Sequence, residues 1–207
     1  MRSILIANPK GGSGKTTLAT NIAGALASRG EAVALWDLDR QKSSLAWLEI
    51  RPSHLPTIRR IDSEGGREGD SGPGKGWLIL DSPAGMHGKN LAHAVRLAER
   101  IVVPVQPSLW DMAATSDFLQ ALLTEKSVRH GRATVGIVGM RVDPRTRAAA
   151  TLDAFLGQFE IPVLALLRDT QIYPNAAFSG LSIFDLPDYL AARDVEQWSP
   201  LLAWLSG

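Results

Sequence analysis

The chain reads as an α/β fold, a mostly parallel twisted sheet flanked by helices on both faces. Three observations predict it. Short apolar runs alternate with longer segments of helical periodicity. The runs are nearly continuous in Ile, Leu, Val and Ala, as in strands covered on both faces. A glycine-rich stretch leads straight from the first run into the first helical segment.

In chain order, residues 3–8 (SILIAN) form an apolar strand, and residues 15–29 (KTTLATNIAGALASR) repeat apolar positions at helical spacing. Residues 32–37 (AVALWD) and 77–81 (WLILD) are apolar runs ending in an acid. Residues 91–99 are helical, and residues 100–105 (RIVVPV) are a strand. Pro104 and Pro107 halt that strand and set the following turn. Residues 112–128 and 145–159 are helical, while 133–142 (ATVGIVGMRV) and 163–167 (VLALL) complete the predicted strands. No internal repeat is present.

The 207 residues, 45% of them hydrophobic, suffice for one core, so residues 1–207 are read as a single domain. Residues 61–76 (IDSEGGREGDSGPGKG) hold six Gly and one Pro and are expected to form a flexible surface loop. That loop is either a tolerated insertion or a hinge or partner loop. The net charge is +1, so contact with nucleic acid or membrane requires a local patch. Cysteine is absent, which excludes a disulfide scaffold, a thiol nucleophile, a thiolate zinc site and a cysteine-held iron–sulfur cluster. No apolar run approaches the ~20 residues that span a bilayer. The N-terminal MRSILIAN is too short an apolar stretch for a secretory signal, so a cytoplasmic address is expected.

Residues 8–17 read Asn-Pro-Lys-Gly-Gly-Ser-Gly-Lys-Thr-Thr, between a strand and a helix. Gly11, Gly12 and Gly14 let the backbone wrap closely and turn N–H groups inward, with Ser13 among them. The helix that opens at Lys15 presents its positive end to the same place. Lys15 can charge-pair with the β- and γ-phosphates of a nucleotide. The Thr16 hydroxyl can ligate Mg²⁺, and Thr17 follows it. The first glycine of the general phosphate-loop pattern is replaced by Pro9, and a second lysine, Lys10, follows.

KGGSGKTT resembles the deviant Walker A motif of the ParA/MinD group of P-loop ATPases. The resemblance implies that Lys10 reaches across an ATP-bridged sandwich dimer to the partner's phosphates. Trp36-Asp37-Leu38-Asp39-Arg40-Gln41 resembles the group's first acidic switch. There the second acid, here Asp39, orients the attacking water near Mg²⁺, and Arg40 stands where Pro is usual. Either acid could instead cap the next helix. Asp81, at the end of an apolar strand, resembles the Walker B carboxylate that manages the metal. Ser82-Pro83-Ala84-Gly85 resembles the second switch. Residues 101–114 (IVVPVQPSLWDMAA) resemble a stretch of short partition ATPases. Within it, Trp110 or Asp111 faces the nucleotide or the partner subunit, or else Trp110 packs in the core and Asp111 caps a helix. Met140 and Arg141 fall where the group approaches the base, although Met140 replaces the usual Asn.

The charge is unevenly spread. Residues 126–147 hold six Lys and Arg against one Asp, and residues 151–207 hold two Arg against seven acids. Arg145 and Arg147 are the candidate DNA contacts, because ParA-type relatives bind DNA without sequence preference when dimerised by ATP; the alternative is a solvated basic helix face. The chain begins at its first strand with no helix-turn-helix ahead of it, so operator-specific binding is not expected. Residues 195–205 (VEQWSPLLAWL) carry no Lys or Arg and are interrupted by Pro200, unlike a basic membrane-binding helix.

Taken together, the resemblance implies a ParA-like ATPase using ATP and Mg²⁺. It would ride non-specific DNA on the nucleoid as a homodimer and position a cargo through an adaptor protein that stimulates hydrolysis. Lys10, Lys15 and Asp39 would be catalytic, and Thr16, Asp39 and Asp81 would serve the metal. The alternatives are a MinD-like membrane-associated regulator and a metabolic ATP-dependent synthetase.

Overall fold

In the computed structural model, which describes residues 1–61 and 76–207, the predicted parallel sheet is present. Its strands are β1 (Arg2–Ile6), β2 (Val33–Asp37), β3 (Ile58–Ile61), β4 (Trp77–Asp81), β5 (Arg100–Val105), β6 (Thr134–Gly139) and β7 (Val163–Leu166). They lie in the order β3-β2-β4-β1-β5-β6-β7, and every pairing is parallel. Parallel pairing needs a crossover for each strand, and the crossovers are α1 (Lys15–Ser28), α2 (Ser43–Glu49), α3 (Gly88–Leu97), α4 (Leu109–Thr124), α5 (Lys126–Arg129) and α6 (Arg147–Leu156). After β7 come α7 (Ile172–Ala177), a single 3₁₀ turn at Ile183–Asp185, α8 (Asp188–Glu196) and α9 (Ser199–Ser206).

Strand alternation divides the core. Ile4 and Ile6 of β1 face Leu18 and Ile22 of α1, with Trp198, Leu201 and Leu205 beside them. Leu5 faces the opposite layer, built from Leu91 and Val95 of α3, Phe118 and Leu119 of α4, and Leu152 of α6. All three β1 residues are fully buried, which is why the run carries no polar alternation. Burial of each such side chain stabilises the fold by about 1.5–3 kcal/mol.

Two predicted boundaries shift for physical reasons. The predicted helix 112–128 starts earlier, because Ser108 caps α4 by accepting from the Asp111 N–H. It then breaks at Glu125, whose ψ of 137 is extended, and the chain restarts as α5. Six elements among the described residues went unread, namely β3, α2, α7, the 3₁₀ turn, α8 and α9. The β3 run IRRI is half arginine, α2 has only seven residues, and Pro174 and Pro200 disguise α7 and α9. Both prolines sit in a first turn, where the missing N–H costs nothing. The predicted loop at 61–76 falls outside the described residues except for its two ends.

The chain beyond β7 is bolted back by two ion pairs. Arg51 grips Asp185 with two hydrogen bonds of 2.8 and 3.0 Å, and Arg168 grips Asp194 with 2.7 and 2.9 Å. Both acids are buried.

Candidate functional site

All strands point the same way, so their C-terminal ends share one edge, and the crevice of such sheets opens there. The loop from β1 to α1 stands at that edge. Gly12 and Gly14 hold φ of 77 and 101, the left-handed region that glycine occupies without strain. Gly14 is doubly constrained, because a Cβ there would meet Met140 Cε at 2.7 Å. Met140 therefore packs beneath the loop as an apolar wall. Gly11 is exposed and open around its Cα, and Ser13 is buried with its Oγ unpartnered among the described residues.

Lys15 is buried, and its Nζ donates to the Lys10 carbonyl over 2.8 Å. Burial lowers its pKa, while the charges of Asp81 and Asp39 pull it back up. These three predicted residues therefore share one electrostatic site. Lys10 is half-buried, and its ammonium has no partner among the described residues. The two lysines are thus not duplicates, since the Lys15 ammonium is buried against the loop backbone and the Lys10 ammonium is not.

Thr16 Oγ1 donates to Asp81 Oδ2 at 2.9 Å. Burial pushes the Asp81 carboxyl up to about 7, the Thr16 hydroxyl opposes this, and the charge of Asp37 adds to it. Asp81 Oδ1 is buried without a hydrogen-bond partner among the described residues. An orphaned carboxylate oxygen beside a threonine hydroxyl fits Mg²⁺, which keeps waters and phosphate oxygens as most of its ligands. Among the described residues no cluster of three or more His, Asp or Glu forms an all-protein cage.

Asp37 and Asp39 divide their roles. Asp37 is fully buried and accepts from the Asp39 N–H and from both the N–H and hydroxyl of Ser44, in the first turn of α2. It serves the helix-capping alternative and shapes the switch backbone. Asp39 is half-buried, and its carboxylate accepts from the Gln41 N–H at 3.0 Å, with no other side-chain partner among the described residues. The loop after β4 touches the β1–α1 loop directly, through the Gly85 N–H donating to the Pro9 carbonyl at 2.8 Å.

Beside Gly14 and Thr17 a cavity of about 300 Å³ opens between the loops after β6 and β7. Met140 and Arg141 line it, and Arg141 takes a positive φ of 53. Gln106, Asp169, Gln171 and Tyr173 also line it and were missed. Their signal was position, since each follows the C-terminal end of a parallel strand. Trp110 is 74% exposed, which removes the core-packing alternative, while Asp111 supports the Ser108 cap of α4 by accepting from the Ser108 hydroxyl.

The basic run is not one patch. Lys126, Arg129 and Arg132 precede β6, and Arg141, Arg145 and Arg147 follow it, so six residues of strand separate the two groups by roughly 20 Å. Arg145 and Arg147 are exposed on the phosphate-loop edge. Arg145 is already paired with Asp143 at 2.8 Å.

Known proteins match this arrangement. The family model described as the CobQ/CobB/MinD/ParA nucleotide binding domain matches residues 4–183. The maintenance of carboxysome distribution protein A of Gloeobacter kilaueensis is 29% identical over 197 residues, covering 88% of this chain and 83% of that protein. The chromosome-partitioning ATPase Soj of Thermus thermophilus is 29% identical over 189 residues, covering 75% and 76%. The solved structure of a Cyanothece McdA variant in complex with ATP superposes with a TM-score of 0.75 at 18% identity, covering 98% of this chain and 94% of that one. With the strand–loop–helix, the buried Asp81 and the match over residues 4–183, the chain belongs to the CobQ/CobB/MinD/ParA nucleotide-binding domain family, as a ParA/MinD-type ATPase.

Proposed function

We propose that this chain is a DNA-riding positioning ATPase whose ATP form is a sandwich dimer. The observation that carries the reading is the division of labour between Lys15 and Lys10. Lys15 is buried with its ammonium on the loop backbone, while Lys10 is half-buried with an ammonium that has no partner among the described residues. A charge not engaged by its own loop is available to a second nucleotide site facing this one.

Lys15 and the loop N–H groups neutralise the phosphates, and the base occupies the cavity beside Met140 and Arg141. Thr16 and Asp81 would hold Mg²⁺, which supplies charge neutralisation on the β- and γ-oxygens. Asp39, lightly tethered, orients the attacking water. The Gly85–Pro9 bond gives the second switch a grip on the loop, so loss of the γ-phosphate can be transmitted to the dimer face. Arg145 and Arg147 lie on the same edge and supply DNA contacts. Leu201, Leu202 and Leu205 of α9 are spent in the core, which supports DNA rather than lipid as the track. The cargo is of the kind named for the relatives, a protein organelle or a chromosome region, reached through an adaptor that stimulates hydrolysis.

The test is binding to mixed-sequence DNA with ATP, with ADP and without nucleotide, across a salt series. ATP-dependent, salt-sensitive binding is expected, lost in Lys10→Ala and kept in Asp39→Ala. Equal binding in all nucleotide states, or in none, overturns the reading.

A further inference from the structure

We infer that Asn8 is the positioning residue for Lys10, and that Thr115 of α4 sets Asn8. The inference rests on the reading in which Lys10 serves the partner subunit's phosphates. Asn8 is the last residue before the loop and is 2% exposed. Its amide is used at both ends. Nδ2 donates to the Pro104 carbonyl at 2.7 Å and to Thr115 Oγ1 at 2.9 Å. Oδ1 accepts from the Lys10 N–H at 2.8 Å. Thr115 is fully buried, so its hydroxyl cannot exchange Asn8 for solvent.

The Lys10 peptide is thereby held from two sides, by Asn8 at its N–H and by Lys15 Nζ at its carbonyl. These two tethers differ in fate. A phosphate that takes the Lys15 ammonium removes the second one. Asn8 then remains as the side chain that fixes where Lys10 leaves the loop. A lysine has four carbons of free stem, so its reach toward a facing subunit depends on a fixed starting point. Asn8 provides that point by tying Lys10 to the end of β5 and to α4, the helix whose first turn carries the exposed Leu109 and Trp110. A buried amide with both ends engaged is costly to leave half-paired, so the geometry is well determined.

The experiment compares Asn8→Ala, Thr115→Val, Thr115→Ser, Lys10→Ala and the Asn8→Ala/Lys10→Ala double variant. Three quantities are read: affinity of the monomer for a fluorescent ATP analogue, ATP-dependent dimerisation by sedimentation, and thermal midpoint. Thr115→Val deletes the hydroxyl that accepts from Asn8 at nearly constant volume. It should weaken dimerisation by about tenfold and change monomer ATP affinity by less than about twofold. Thr115→Ser keeps the hydroxyl and should restore dimerisation. Asn8→Ala should add nothing in the Lys10→Ala background, because both act through one lysine.

Parallel loss of ATP affinity and dimerisation in Thr115→Val overturns the inference, as does full additivity of Asn8→Ala and Lys10→Ala. If Asn8→Ala fails to fold, the Thr115 pair decides alone. Lys10→Ala that dimerises like the wild type overturns the underlying reading instead, and is recognised by that separate signature.

Discussion

The Thr16 hydroxyl and the Asp81 carboxylate meet at 2.9 Å, joining the first turn of α1 to the last residue of β4. The pair is 65 residues apart in sequence and is brought together because β4 lies beside β1 in the sheet. Asp81 Oδ1 stays unpartnered beside it among the described residues. Thr16→Ala and Asp81→Asn should each lower Mg²⁺-dependent ATP turnover by about a hundredfold or more. Thr16→Ser should retain most of it, and EDTA should abolish it in the wild type. Phosphate-release assays check all four.

The two lysines should separate experimentally. Lys15 is buried within the loop, so on the proposed reading Lys15→Ala removes the charge opposite the phosphates and should weaken ATP binding by about tenfold or more. The Lys10 ammonium is not engaged by its own loop among the described residues, so Lys10→Ala should leave monomer binding nearly intact. Titration with a fluorescent ATP analogue reads both. Equal losses in the two variants would contradict the assignment.

Asp185 links stability to pH. Burial pushes its pKa up from 3.8, but hydrogen bonds from Arg51 and Ser182 outweigh that, and the folded value lies below the ordinary one. The unfolded chain therefore binds more protons in acid. The contribution of Asp185 is full above pH 3.8 and is lost as pH falls through the folded value. Asp185→Asn should cost about 3–5 kcal/mol near neutral pH, because it strands a buried Arg51. Denaturant curves of the variant and wild type should converge in acid. A constant gap down to the lowest pH would refute the linkage.

Gly24 lies where α1 touches the 3₁₀ turn, and a Cβ there would overlap Ser182 Oγ and Cβ. Ser182 is fully buried and hydrogen-bonded to Asp185, so it cannot withdraw freely. Gly24→Ala should destabilise by about 1–3 kcal/mol despite alanine's better helix propensity. Thermal unfolding measures it, and unchanged or raised stability would mean the turn yields.

The two candidate DNA arginines should behave differently. Arg145 is partnered by Asp143, whereas Arg147 has no acidic partner among the described residues. Arg147→Ala should weaken ATP-state DNA binding on all sequences and reduce the salt slope by about one. Arg145→Ala should do less, because Asp143 already offsets part of its charge. A salt series on one mixed-sequence duplex separates them.

The phosphate loop, the acid-ended strands and the parallel sheet were legible along the chain because their causes are local. A glycine that must take positive φ, a lysine at the first turn of a helix, and strands apolar on both faces each leave a contiguous mark. What the tertiary structure decided involves residues that meet only when the strands are ordered. The basic run of residues 126–147 looks continuous as text, yet β6 carries half of it to the opposite edge of the sheet. Trp110, apolar enough for a core, is left outside because Ser108 starts α4 in a register that turns it to solvent. The cavity walls at Gln106, Asp169 and Tyr173 come from the ends of strands that are distant in sequence, and Asn8 reaches Thr115 across 107 residues. Local backbone chemistry dictates which residues can wrap a phosphate, whereas the order of parallel strands dictates which side chains stand around it.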